Sequence, residues 1–129
     1  MNHLRIAAVA LAAATLALPA SDVAAQPARP TVTITLASHY FQPSPIYLAG
    51  GVPVRLVFVN RSGKTHEFDA PEFFAAARIL SGNAPAGEFE LQKGRSTTID
   101  LVPARGRYKV HCGQPFHTML GMKTTVVVS

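Results

Sequence analysis

From Thr31 onward the chain consists of short segments in which apolar and polar residues take turns, and this period of two narrows its fold more than any other feature. Val32, Ile34 and Leu36 alternate with Thr31, Thr33 and Thr35, and Val54, Leu56 and Phe58 alternate with Arg55, Val57 and Val59. Ile46-Tyr47-Leu48, Phe89 with Leu91, and Ile99 with Leu101 mark further strands. Tyr108, Val110 and Cys112 share one face of another, and Thr124 to Val128 is a final β-branched run. Turn formers punctuate them: Pro43-Ser44-Pro45, Gly50-Gly51, Asn60-Arg61-Ser62-Gly63, Lys93-Gly94 and Pro103. Strands with one apolar face must bury it against a second sheet, so the pattern implies an all-β sandwich or barrel. One interval departs from it. Pro71 to Leu80 is alanine-rich with a proline at its start, which predicts a short helical insertion of one or two turns near 71–80.

The N-terminus belongs to a different category. Met1-Asn2-His3-Leu4-Arg5 is a basic start, Ile6 to Leu18 is an apolar run, and Val23-Ala24-Ala25 places small residues where a signal peptidase reads. Residues 1–25 are therefore expected to be an export signal cut after Ala25, leaving 26–129 as a single domain. The rival, a retained anchor, is disfavoured because the run falls short of the roughly 20 residues that a spanning helix needs. Removing the signal takes away Arg5 and Asp22 together, so the formal charge stays at +5. That balance favours acidic proteins or anionic surfaces. The basic residues are scattered singly, which argues against nucleic acid.

A chain with one cysteine cannot close an internal disulfide, and in an exported protein a leftover cysteine is a liability or a ligand. Cys112 is followed after four residues by His117, and His117 after four more by Met122. With His66, in Gly63-Lys64-Thr65-His66-Glu67-Phe68, they make two imidazoles, a thiolate and a thioether, the His2Cys set with weak axial Met that suits copper. If Tyr108, Val110 and Cys112 point inward, the sulfur is buried at one end of the sandwich. The loop from Gly113 to Gly121 can then fold over it, with His66 arriving from a distant strand end. Met119 competes with Met122 as thioether; Met122 is preferred because the chain turns back into a strand at Gly121. Each donor also has a plainer reading: Cys112 as a small buried hydrophobe, His66 as a turn residue, His117 on a loop surface, Met122 as core filler. His111 alternates with Val110 and Cys112 and is expected at the surface, and His39 in a turn. Asn60-Arg61-Ser62 matches a glycosylation acceptor but reads as a turn.

These motifs, Tyr108-x-Val110-x-Cys112, Cys112-x4-His117-x4-Met122, the segment around His66 and the closing β run after Gly121, resemble the cupredoxins, the blue-copper family. The resemblance implies a Greek-key β-sandwich of seven or eight strands. It also implies one type 1 copper ion, cycling between Cu(I) and Cu(II), held by His66, Cys112, His117 and Met122, with His117 near the surface as the electron exit. Three positions depart from the family pattern: Glu67 after His66, Phe116 before the loop histidine, and His111 before the cysteine.

The resemblance implies a periplasmic carrier of single electrons between redox partners, with periplasmic copper binding, storage or delivery as the alternative. Only Met119 and Met122 supply thioethers near the site, which tilts the reading toward electron transfer. Pro115, Phe116, Met119 and Leu120 are expected to form an apolar rim beside His117, suited to transient protein redox partners. No further His-x-His copper sets and no second cysteine exist for an oxidase or a binuclear centre, and no general base is placed for a zinc hydrolase. Neither catalysis, nucleic acid nor stable membrane insertion after signal removal is expected.

Overall fold

Phe68 lies at the middle of a group of aromatic rings contributed by both layers of a β-sandwich. Its ring centroid stands 4.8 Å from Phe58, 5.6 Å from Phe41 edge-on, and 5.7 Å from Phe89 in a stacked pair. The computed structural model describes residues 14, 16–22, 29–115 and 121–129. In chain order the elements are β1 (Thr31–Ala37), β2 (Tyr40–Gln42), β3 (Ile46–Leu48), β4 (Val54–Asn60), β5 (His66–Asp69), α1 (Pro71–Ala76), β6 (Arg78–Ser81), β7 (Glu88–Leu91), β8 (Ser96–Val102), β9 (Gly106–His111) and β10 (Lys123–Val128). One sheet runs β2-β1-β4-β8-β6 and the other β3-β10-β9-β5-β7. From β2 to β9 the chain changes sheet between every consecutive pair of strands, so the layers cannot separate without undoing the backbone path.

The alternation read from the sequence sets the burial. Ile34, Leu36, Leu56, Phe58, Ile99, Leu101, Val110 and Val126 are all buried, while their strand neighbours face outward. Each apolar side chain moved from water in this way contributes about 1.5–3 kcal/mol, and the alternation lets one face of each sheet collect that gain. Among the described residues ten strands are present rather than seven or eight. The surplus lies in short pieces such as β2 and β6, too brief for alternation to mark. The helical expectation near 71–80 holds for its first part. α1 opens with Pro71 and buries Phe73 and Phe74; Ala77 then turns extended, and Arg78–Ser81 pair along β8 as an edge strand. Among the described residues no helix is long and apolar enough to cross a membrane.

The outer face of the first sheet carries a carboxylate that the sequence leaves unremarked. Asp100 on β8 lies opposite Arg55 on β4 and Ser81 on β6. Arg55 donates to it from Nε at 2.8 Å and from Nη2 at 3.0 Å, Arg29 donates from Nη1 at 2.8 Å, and Ser81 Oγ at 3.1 Å. Asp100 is buried, yet these donors satisfy both oxygens. The hydrogen bonds from Arg55 lead in holding its carboxyl down to about 2, against an ordinary 3.8, in opposition to burial. Arg29 thereby ties the residues before β1 onto the sheet.

Asp100→Asn should destabilise the fold by about 1–2 kcal/mol near neutral pH, because two guanidinium groups lose a charged acceptor. The folded pKa is depressed, so the carboxylate's contribution is present above pH 3.8 and fades as the pH falls from there through about 2. Thermal melts by circular dichroism across that range should therefore show the gap between wild type and variant closing with acid.

Candidate metal centre

β5 and β9 meet at a single ladder pair among the described residues, Asp69 with His111, before the two strands part. On the outer face their side chains also touch, His111 Nε2 lying 2.9 Å from Asp69 Oδ2. This rung shares the parity that the ladders to β7 and β10 give the two strands. His66 and Phe68 point inward from β5, Val110 from β9 and Cys112 from just beyond it, and all four are buried. Beyond the rung, the main-chain N–H of Glu67 has no strand carbonyl to bond. It donates instead to Cys112 Sγ at 3.3 Å.

His66 reaches the same point by a path that Asn60 controls. This buried amide donates from Nδ2 to the carbonyls of Lys64 (2.7 Å) and Leu91 (2.8 Å), and its Oδ1 accepts from the N–H (2.9 Å) and hydroxyl (2.8 Å) of Ser62. All its hydrogen-bonding capacity goes into shaping the loop before β5 and bridging it to β7. The sequence reading of Asn60-Arg61-Ser62 as a turn holds, and the amide that a glycan would need is committed inside the fold.

The outcome is a close approach between two donors 46 residues apart: His66 Nδ1 stands 3.8 Å from Cys112 Sγ. Two ligands bonded at about 2.0 and 2.3 Å to one ion, about 120° apart, would be separated by about 3.7 Å. The pair therefore fits two corners of a trigonal His2Cys site. Met122 is wholly buried, and its carbonyl accepts from the Cys112 N–H at 3.1 Å, which holds the start of β10 beside the cysteine. Gly121 precedes it with φ +93, a left-handed conformation that side chains disfavour. His117 lies outside the described residues, as do Phe116, Met119 and Leu120; Pro115 is described and exposed. Among the described residues no group of three or more His, Cys, Asp and Glu side chains could hold an ion. His66 and Cys112 are the described pair of the expected set, and Met122 is a thioether of a different kind.

Glu67 is the neighbour whose role the sequence conceals. Besides its N–H on the sulfur, its carboxylate accepts from Gln114 Nε2 at 2.8 Å and lies against Gly113, where any Cβ would collide with it. Main chain and side chain of one residue thus clasp the segment that leaves Cys112. Glu67 alternates with the buried His66 and Phe68 and is half-buried on the outer side. His111 is likewise on the outer face, partnered by Asp69. His39 occupies the β1–β2 turn with φ 68, and with Ser38, Gly63 and Lys64 it lines a cleft of about 190 Å³ that reaches His66.

Residues 6–128 match a family model described as a cupredoxin-like domain. Reduced auracyanin from the photosynthetic bacterium Roseiflexus castenholzii is similar in structure, with a TM-score of 0.60 at 20% identity over 79% of this chain and 98% of that one. Auracyanin B gives 0.56 at 25% identity, over 83% and 93%. A multicopper oxidase of Campylobacter jejuni gives 0.60 at 11% identity over 81% of this chain, but only 31% of its own length. The first and third likenesses establish the fold alone. No curated protein matches the chain in sequence.

Gly113→Ala should displace the Glu67 carboxylate and break its bond to Gln114, speeding modification of the Cys112 thiol by a disulfide reagent about tenfold, as expected for losing one charged hydrogen bond. Glu67→Ala should act alike. The double variant should be no faster than either, since both remove one interaction; additive rates would contradict the clasp.

Proposed function

Because the chain belongs to the cupredoxin-like domain family, we propose that it is an exported blue copper protein that carries single electrons between redox partners. The observation that carries this reading is the 3.8 Å approach of the His66 ring to the Cys112 sulfur, both shut away from water. His66, Cys112, His117 and Met122 are the proposed ligands. Copper, when bound, supplies a one-electron couple between its two oxidation states. The protein's part is to keep the donors from moving. His66 is fixed by the Asn60 loop and its pairing with Leu91, and Cys112 by its bond to the Met122 carbonyl. Rigid donors keep reorganisation on electron transfer small. The Glu67 N–H donates to the sulfur and so helps to hold it in place.

The auracyanin B likeness supports this reading, since that protein aligns over 93% of its length at 25% identity. The oxidase likeness covers under a third of that protein and lends this chain no catalytic role. Export to the periplasm rests on the basic start, apolar run and small residues up to Ala25. Transient partners are assigned to the rim of Pro115, Phe116, Met119 and Leu120 beside His117.

Copper(II) added to the purified protein should produce an intense visible band from thiolate-to-metal charge transfer, and Cys112→Ala should abolish it. A colourless product would overturn the proposal. Met122→Leu should keep the band while raising the reduction potential measured by voltammetry, because loss of a weak axial donor disfavours the oxidised ion.

A further inference from the structure

The outward face of the second sheet is divided by charge along the line between β9 and β5. On one side, β5 and β7 present Glu67, Asp69, Glu88 and Glu90, four of the seven acidic residues in a chain of net charge +5. On the other, Arg107, Lys109 and Lys123 project from β9 and β10, with no acid among them. One row crosses four strands through successive ladder partners: Lys123, His111, Asp69, Glu88. The sign of charge changes once along it, between Lys123 and Asp69.

The two halves also differ in shape. The basic half is hollowed by a cavity of about 570 Å³ along β9 and β10, lined by Lys109, His111, Lys123 and Thr125 among others. Glu88 and Glu90 are exposed on the edge strand β7, where they stand clear of the sheet. Tyr47, 69% exposed opposite Val127, adds an aromatic ring at the far edge of the basic half.

A face that is positive on one side and negative on the other is complementary to itself. We propose that it is a docking surface for a second copy of this chain, joined face to face about a two-fold axis lying in the interface along the charge boundary. That symmetry lays each row on its own reverse, so Lys123 meets Glu88 of the second copy, twice per dimer. A two-fold at right angles to it would set basic halves on each other. The charge pattern therefore selects one arrangement and rejects the other. Exposed ion pairs are individually weak, so the association is reversible and screened by salt. It requires no metal and stands apart from the copper assignment.

Sedimentation equilibrium of the purified copper-free protein tests the proposal. Dimer is expected at about 20 mM salt and monomer at about 500 mM, where the screening length falls to a few ångströms. Lys123→Glu and Glu88→Lys should each weaken the dimer about tenfold or more, since each sets like charges together. An equimolar mixture of these two variants should recover it, because every contact between the unlike chains is then opposite in sign. Circular dichroism should be unchanged, which separates this result from misfolding. Protein that is monomeric at low salt, association that persists in high salt, or a mixture no tighter than its components would overturn the proposal. So would low-salt monomers that bind a polycation or a polyanion, since the face would then serve a foreign partner.

Discussion

One backbone rung, Asp69 against His111, joins the strand that carries His66 to the strand that leads to Cys112. Strands have a period of two, so a slip of one residue at that rung would turn His66 and Phe68 outward and expose their polar neighbours to the core. The side chains of the same two residues touch on the outer face, which resists such a slip from outside the core. Where the ladder stops, a gap opens, and the cysteine sulfur fills it. The site is thus a consequence of where two strands cease to pair.

Asn60 plays the corresponding role for His66. A loop leading to a buried imidazole must satisfy its own carbonyls and N–H groups, and one internal amide accepts and donates for most of the turn. It also connects β4 of one sheet to β7 of the other, so the approach of His66 is coupled to the packing of the layers.

Much of this is legible in the sequence because alternation and turn formers are local signals. β1, β4, β8 and β10 are each long enough to reveal the period, and Cys112 shows its inward parity through Tyr108 and Val110. The short β2 and β6 escape because three or four residues carry too little pattern, and β6 is further masked by the alanines before it. The Asp100 cluster escapes for a different reason: Arg29, Arg55, Ser81 and Asp100 are far apart in sequence, and only register brings them together. Of the expected ligands, the structure brings His66 to Cys112 and holds Met122 alongside, while His117 falls outside the described residues. Glu67 was marked in sequence only as an unusual neighbour of a ligand; its importance lies in its backbone, which residue identity does not announce.

A donor belonging to the main chain survives nearly every replacement at its position, since nineteen of the twenty amino acids carry the same N–H. The hydrogen bond to the sulfur is therefore insulated from genetic drift at residue 67, with proline the sole exception. The outward side chain there is at liberty to adjust the surroundings of the sulfur, leaving the electrostatic anchor itself intact.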